Sequence, residues 1–309
     1  MIYLDPNNPK NIQASNTFHT KMLDFVWSRF DKHRKKLGVG KLALEVLFQD
    51  LILEQIDDIL IGLPDRLVEL NDKINPVIKS SALLKEAVEY VFNYKAFLEK
   101  GFNKYNLYSL AASLDTPTCI YCNINYTNTI ITKNKKKLTR PQFDHFFDKA
   151  KNPLLAISFY NLIPCCSVCN TSIKGSVVMN LNEHLHPYND NRLNEIKFSY
   201  NFSSGSYNGL VVKLKTSDGS KSKNTADVFA LEELYNAHTG ILQDLIKTRQ
   251  YYSDNYLEIL NDNLLKGVTT SKDELYRIVF GTEIRQEDFV KRPFSKFKSD
   301  ILKELGVID

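Results

Sequence analysis

The residues best suited to chemistry lie in one short span of the chain. Two Cys-x-x-Cys pairs, Cys119 with Cys122 and Cys166 with Cys169, enclose it. Two residues between thiolates allow a tight turn to direct both sulfurs at one ion, and two such turns complete a closed tetrahedral Zn²⁺ site. Cys165 has a wider spacing to Cys169, so Cys166 is the better ligand. The spacing predicts a structural zinc that joins two loops and contributes to folding.

Free cysteines also pack as small buried side chains, and this is the alternative interpretation. Two Cys-x-x-Cys pairs among only five cysteines, all between positions 119 and 169, favour the metal site. The N-terminus MIYLDPNNPK has no apolar stretch typical of a signal peptide, and no segment reaches the roughly 18 apolar residues of a membrane span. We therefore expect a cytoplasmic protein without membrane contact, in which thiols stay reduced rather than forming disulfides.

Four polar residues accompany the cysteines, namely Asp144, His145, Asn161 and Asn170. Hydrolysis of a phosphodiester needs a base that deprotonates water and a cation that balances charge on the phosphate. Histidine ordinarily titrates near neutral pH and suits the first task. A carboxylate oxygen from Asp144 and an amide oxygen from Asn170 suit Mg²⁺ or Mn²⁺, which prefer hard oxygen ligands.

The dipeptide of Asp144 and His145 is a weak signal by itself, because a histidine beside an acid is usually a surface pair. Neighbouring residues of a regular strand also face opposite sides of it. Both side chains can serve one phosphate only where the strand ends or bulges, or where metal and water lie on different sides. The order of the whole set therefore carries more weight than this pair.

In chain order the motifs are CIYC, DHFFDK, SFYNLIP, CSVCN, KG and HPY, which begin at Cys119, Asp144, Ser158, Cys166, Lys174 and His186. This series resembles the zinc-stabilised HNH endonucleases, which have a small ββα-metal core. The resemblance covers roughly residues 116–190, about a quarter of the chain. It implies an α+β fold in which an HNH core with structural zinc is embedded between an N-terminal helical region and a C-terminal hairpin-plus-helices region.

Carried over to this chain, the resemblance makes His145 the general base and makes Asp144 and Asn170 the ligands of a catalytic Mg²⁺ or Mn²⁺. It implies that Asn161 fixes a loop and orients the His145 ring through a backbone contact. Asn170 stands where the founding pattern has histidine, so the chain matches an HNN-type variant. Lys174 is expected to contact phosphate.

Two positions depart from the usual motif, and two histidines lie outside it. Asn123 follows the first cysteine pair where glycine is common, and asparagine tolerates the left-handed conformation that such a turn needs. Asp148 stands where related sequences often have proline, which affects the turn after the histidine but removes no catalytic group. The spacing of His184 and His186 allows metal binding from one side of a strand, although structural roles or phosphate contacts are the favoured interpretation.

Basic residues near the motif are expected to hold a nucleic-acid backbone without reading its bases. Lys149 follows the Asp-His pair, and Arg140 ends a basic run that begins at Lys133. Similar runs occupy residues 32–36 and 291–298, although most such runs are simply solvated surface. The net charge of +4 is too small to indicate a polyanionic partner by itself.

The resemblance also implies partners. Bacterial proteins of this type often accompany an ATPase in phage-defence systems of the Septu and retron-associated kinds. The leading hypothesis is thus a metal-dependent endonuclease acting on nucleic acid, with DNA favoured and RNA left open, in anti-phage defence. The alternatives are a zinc-knuckle protein that binds nucleic acid without catalysis, and an RNA-cleaving effector controlled by a partner ATPase.

Composition and periodicity divide the chain into three regions, which are residues 1–115, 116–190 and 191–309. Apolar residues at steps of three and four predict helices in the first region, with one continuous stripe over residues 48–63. Alternating apolar residues on either side of a turn predict a β-hairpin at the start of the third region. A long helix is predicted to follow from about residue 225 toward 260, and two or three short helices to end at Gly306.

Overall fold

The structure is a computed structural model that describes residues 1–37, 42–189, 195–205, 209–217, 219–251 and 271–308. Within these residues the chain combines many helices with small antiparallel sheets of two strands each, so the predicted α+β class is confirmed. None of the described helices has both the length and the apolar character that crossing a membrane requires.

The N-terminal part of the chain is helical, as its periodicity predicts. Its helices are α1 (Pro9–Leu37), α2 (Leu42–Leu51), α3 (Ile56–Ile61), α4 (Pro64–Ser80), α5 (Ala82–Val91), α6 (Tyr94–Lys100) and α7 (Leu107–Leu114). Helix α1 packs against α3, α5 and α7 and buries Phe18, Met22 and Val26 at the centre of the main core. The buried apolar residues of α1 therefore serve packing.

The predicted apolar stripe over residues 48–63 is buried up to Leu60, whereas Leu63 is exposed. It is also not one helix, because a short 3₁₀ turn (Leu53–Gln55) separates α2 from α3. Helix α3 ends where Gly62 is extended and Pro64 begins α4. This boundary follows from proline, which fits the first turn of a helix and disfavours helical backbone in the residue before it.

The motif-bearing region has two strand pairs. Strands β1 (Ile130–Ile131) and β2 (Lys137–Thr139) form an exposed ribbon that carries the middle basic run. Strands β3 (Gln142–His145) and β4 (Leu162–Cys165) pair antiparallel and are almost entirely buried. A π-helical segment (Val168–Lys174) follows β4 directly. Strands β3 and β4 and the π-helical segment therefore bring the motif residues close together.

The predicted hairpin is present as β5 (Lys197–Phe202) and β6 (Leu210–Lys215), with Phe198 opposite Leu214 and Tyr200 opposite Val212. Its connecting residues 206–208 lie outside the described residues. A smaller core joins this hairpin to the C-terminal helices through Phe198, Tyr235, Phe297 and Ile301.

The prediction of one long helix from residue 225 is wrong. The described residues form three helices instead, α8 (Lys221–Val228), α9 (Leu231–Asn236) and α10 (Thr239–Tyr251). Ala230 is left-handed with a φ of 45° and separates α8 from α9. Helix α9 turns toward β6, where Asn236 and Glu232 accept the backbone N–H groups of Val212 and Leu214. Residues 252–260 of the predicted helix lie outside the described residues.

The C-terminal segment matches the predicted short helices. It consists of α11 (Lys272–Phe280), a 3₁₀ turn (Gln286–Lys291) and α12 (Ser295–Glu304). Gly306 is left-handed with a φ of 67° and ends α12, because its N–H binds the carbonyl of Lys303 while the N–H of Val307 binds that of Leu302.

Candidate active site

The four predicted cysteine ligands come together. Their sulfur atoms all lie within 4.8 Å of one another, and the four residues are buried, namely Cys119, Cys122, Cys166 and Cys169. Sulfurs bound at about 2.3 Å around one tetrahedral zinc are about 3.8 Å apart, so the donor set and its size fit a closed structural zinc site. Cys165 lies in β4 outside this group, as predicted.

Polar groups around the cluster donate hydrogen bonds to its sulfurs. The amide of Asn125 donates to the sulfur of Cys166 over 3.3 Å, and the backbone N–H groups of Ile124 and Cys169 donate to sulfurs over 3.4 Å each. The neighbouring cysteines, led by Cys119, lower the pKa of Cys166, whereas burial raises the pKa of Cys119 and the hydrogen bond to Cys119 raises that of Cys169. A deprotonated sulfur is the form that binds a metal.

Asn123 links the first cysteine turn to the C-terminal segment. It has a φ of 53°, the left-handed conformation predicted for this position. Its buried amide donates to the hydroxyl of Thr118 and to the carbonyls of Phe289 and Arg292, and its Oδ1 accepts the N–H of Lys296. The sequence predicted the backbone conformation but not these partners.

Asp144 is buried and both of its carboxylate oxygens are bonded. The hydroxyl of Tyr121, which lies between the first two cysteines, donates to Oδ2 over 2.7 Å. The ammonium of Lys174 donates to Oδ1 over 2.8 Å and to the carbonyl of His145 over 3.0 Å. The cysteine turn and the π-helical segment therefore meet at this carboxylate.

His145 is held in one orientation by its surroundings. Its Nε2 lies 2.9 Å from the carbonyl oxygen of Ala156, which can only accept, so Nε2 carries the proton and Nδ1 keeps its lone pair. The ring meets Tyr94 edge to face at 4.5 Å. Burial lowers the pKa of His145 to about 4, since the charged form is poorly solvated there. The imidazole is neutral at neutral pH.

Asn161 is completely buried behind the histidine and fastens the loop that holds it. Its Oδ1 accepts the N–H of Phe147 over 2.7 Å, and its Nδ2 donates to the carbonyls of Phe147 and Leu155. Leu155 precedes Ala156, whose carbonyl holds the histidine ring. These bonds are the ones that the predicted loop-fixing role requires.

Helix α4 supports the same loop from outside. The buried amides of Asn71 and Asn75 donate to the side-chain oxygen of Asn152 and the carbonyl of Lys151. Asp148 begins this turn, because its carboxylate accepts the N–H of Lys151 and its carbonyl accepts that of Asn152. A proline at position 148 is therefore not needed to form the turn.

Asn170 reaches the site from the π-helical segment. Its Nδ2 donates to the Oε1 of Gln142 in β3 over 2.7 Å, and the residue is half-buried. Carboxylate and amide oxygens from Asp144 and Asn170 are the type of donor that Mg²⁺ accepts. The chemistry of the donor set fits such an ion, while the ammonium of Lys174 already occupies one oxygen of Asp144.

One cleft of about 340 Å³ is lined by the predicted site residues other than Asn161 and the cysteines. It is lined by Tyr94, Gln142 and Asp148 together with Arg140, Asp144, His145, Lys149, Asn170 and Lys174. Asp144 and His145 both line this cleft, and His145 is the last residue of β3, paired with Leu162 of β4. Lys149 is exposed at the cleft, and the guanidinium of Arg140 lies over the ring of Tyr108.

His184 and His186 lie outside this cleft. His186 is fully buried, with its ring 4.2 Å from that of Phe146, and its Nδ1 accepts the N–H of Tyr188. His184 accepts the N–H of Asn180. Within the described residues, the four cysteines form the only group of three or more such side chains arranged to hold a metal. These contacts agree with structural roles.

Sequence reasoning missed three side chains of the site. Tyr121 binds the carboxylate of Asp144, Tyr94 packs on the ring of His145, and Gln142 holds the amide of Asn170. Tyr121 and Gln142 lie within the motif region, two residues from a predicted ligand, and this was the available signal. Tyr94 begins α6, far away in sequence, and gave none.

Comparison of the chain with models of known protein families, with curated proteins and with solved structures finds no match. The resemblance to HNH endonucleases therefore rests on the motif residues and their spacing.

Proposed function

We propose that the chain is an HNH-type endonuclease that hydrolyses phosphodiester bonds of nucleic acid. The observation that carries this proposal is the shared cleft, which His145, Asp144 and Asn170 line together. A neutral imidazole next to a pair of hard oxygen donors supplies the base and the ligands that phosphodiester hydrolysis requires. The cysteine cluster serves as scaffold, because it fixes the segment that carries Asn170.

His145 acts as the general base in this proposal. Its Nδ1 takes the proton of a water that attacks phosphorus, while the bond from Nε2 to Ala156 keeps the ring in place. A phosphate entering the cleft brings negative charge close to the ring, which favours the protonated product of this step. Mg²⁺ or Mn²⁺ held by Asp144 and Asn170 would balance the charge on the phosphate and the departing oxygen. Departure of the 3′ oxygen leaves 5′-phosphate and 3′-hydroxyl ends.

Substrate binding is assigned to cations at and beside the cleft. Lys149 and Arg140 line it, and the ribbon of β1 and β2 presents an exposed basic run next to Arg140. Such side chains contact phosphates irrespective of sequence, so binding should weaken steeply with salt. DNA is the favoured substrate, and RNA is the other. A partner ATPase and a role in phage defence rest on the motif resemblance alone.

One observation favours a second function, a zinc-knuckle protein that binds nucleic acid without catalysis. Both oxygens of Asp144 are already bonded, to Lys174 and Tyr121. A carboxylate engaged in this way can serve packing alone. The cleft with its neutral histidine has no purpose under this alternative, and we therefore prefer the nuclease.

The test is incubation of the purified chain with plasmid, single-stranded DNA and RNA, each with Mg²⁺, Mn²⁺ or a chelator. The nuclease proposal predicts metal-dependent cleavage of at least one substrate, with products that carry 5′-phosphate. Retention of labelled nucleic acid on the protein while every substrate stays intact supports the second function instead.

A further inference from the structure

The ammonium of Lys174 is placed differently from what its phosphate-binding prediction requires. It ends the π-helical segment, is only 4% exposed, and bonds the carboxylate of Asp144 over 2.8 Å. It also bonds the carbonyl of His145 over 3.0 Å. The lysine thus already supplies a positive charge at the carboxylate that the proposed function assigns to a divalent cation.

A buried ion pair of this kind has a consequence for any further cation. Two positive groups that share one carboxylate repel each other, and the repulsion is strong where water is largely excluded. The second oxygen of Asp144 accepts the hydroxyl of Tyr121 and is therefore engaged as well. A divalent cation reaches full interaction with this carboxylate only when the ammonium withdraws.

The cleft offers the displaced ammonium another counter-ion. Lys174 lines the cleft in which a substrate phosphate is proposed to bind. A phosphate there can attract the ammonium away from Asp144, since an ammonium binds phosphate readily as a point charge. Lys174 then pairs with Asp144 in the free chain and with the phosphate in the complex. This exchange accounts for both the observed ion pair and the expected phosphate contact.

We propose that Lys174 is an internal cation that competes with the divalent metal for Asp144 and is released by the phosphate of the nucleic acid. Metal and nucleic acid then bind cooperatively, each raising the affinity of the chain for the other. This inference rests on the proposed function, because it assumes that Asp144 is a metal ligand.

The experiment measures Mn²⁺ binding by electron paramagnetic resonance on the full, zinc-loaded chain. Lys174→Met removes the charge and keeps an aliphatic side chain, and it should bind Mn²⁺ more tightly by a factor in the roughly 5- to 150-fold range of typical couplings. Lys213→Met is the matched control, because it removes an ammonium that pairs with Glu232 over 2.8 Å and does not line the cleft. Its Mn²⁺ affinity should stay close to that of the wild type.

A short oligonucleotide with non-hydrolysable phosphorothioate linkages tests the exchange. It should tighten Mn²⁺ binding in the wild type and have a much smaller effect in Lys174→Met. The inference is overturned if Lys174→Met binds Mn²⁺ no more tightly than the wild type does. It is also overturned if the oligonucleotide tightens Mn²⁺ binding equally in Lys174→Met and in the control lysine variant. Lys174→Gln, which keeps hydrogen-bond donors for Asp144, replaces the methionine variant if that chain does not fold.

Asp144→Asn separates this inference from the proposed function. If this variant binds Mn²⁺ as the wild type does, Asp144 is not a metal ligand, and both proposals fail. If Asp144→Asn weakens Mn²⁺ binding but Lys174→Met binds Mn²⁺ as the wild type does, only the proposed competition between Lys174 and the metal is wrong.

Discussion

At the scale of single residues, the proposed chemistry depends on how the ring of His145 is held. One carbonyl fixes its Nε2, and that carbonyl belongs to the loop that Asn161 fastens. A residue behind the cleft can thus control a reaction that it does not touch, since outer contacts set the orientation of the reacting group.

Asn161→Ala should separate positioning from metal content. Loss of three buried hydrogen bonds should lower the free energy of unfolding by about 2–4 kcal/mol, and cleavage should fall about 10- to 100-fold. Zinc content should stay at that of the wild type. Asn236→Ala is the control, because Asn236 also accepts one backbone N–H and donates to two backbone carbonyls, at a place that does not line the cleft. Full activity of Asn161→Ala would show that the loop needs no such anchor.

The buried ring of His186 should make the fold sensitive to acid. Burial lowers its pKa to about 3, whereas an unfolded histidine titrates near 6.5. As the pH falls, His186 therefore binds a proton at a higher pH in the unfolded chain than in the folded chain. The stabilisation that is present above pH 6.5 is lost progressively toward pH 3. Between pH 7 and pH 5 this one group should remove about 2 kcal/mol.

Urea unfolding at pH 7 and pH 5 tests this effect. His186→Asn keeps an acceptor for the N–H of Tyr188 but has no group that titrates in this range. The loss of stability between the two pH values should be smaller in the variant by about 2 kcal/mol. The same loss in both proteins would mean that His186 does not govern it.

Motif residues could be predicted one by one, and their partners could not. The cysteine cluster and the left-handed Asn123 were predicted because spacing and residue type determine them locally. The contacts of Lys174 and Tyr121 with Asp144 join segments far apart in the chain. The sequence contains no local signal for a pairing that only tertiary packing creates.

At the scale of elements, periodicity predicted where apolar faces lie but not where helices break. The hairpin of β5 and β6 was predicted correctly, because alternation and a turn specify it. The helix breaks after residue 225 were not predicted, because Asn236 and Glu232 hold α9 against β6 by accepting its backbone N–H groups. A tertiary contact there overrides a continuous helical pattern.

The first cysteine turn and the C-terminal segment are joined through Asn123, and this link makes a testable prediction. Asn123→Gly keeps the left-handed backbone without strain but loses the side-chain bonds, and it should lower the free energy of unfolding by about 2–4 kcal/mol. Asn123→Ala loses the same bonds and adds strain, so it should be less stable again by about 1 kcal/mol. Chemical denaturation of both variants measures the difference. A glycine variant as stable as the wild type would contradict the assigned contacts.

At the scale of the whole molecule, the cysteine cluster lies where several parts of the chain meet. Its turns contact β4, the C-terminal segment through Asn123, and α9, whose Tyr235 donates to the carbonyl of Cys122 over 2.7 Å. A metal ion at this point would stabilise contacts far beyond its four ligands, since metal binding and folding are coupled.

Zinc content should distinguish Cys166 from its neighbour Cys165. Cys165→Ala should keep one zinc per chain by mass spectrometry, because Cys165 is outside the cluster. Cys166→Ala should lose most of the zinc and unfold at a clearly lower denaturant concentration, since the site contributes to folding. Equal zinc content in both variants would contradict the assigned ligand set.

In the proposed reaction His145 activates water for phosphodiester hydrolysis, and the cleavage rate of His145→Ala measures this role. His19→Ala is the control, since His19 pairs with Asp57 away from the cleft. At equal zinc content and in Mn²⁺, we expect His145→Ala to cleave about 10²- to 10⁴-fold more slowly than the wild type, and His19→Ala to cleave at the wild-type rate. Cleavage by His145→Ala at the wild-type rate would show that His145 is not the general base.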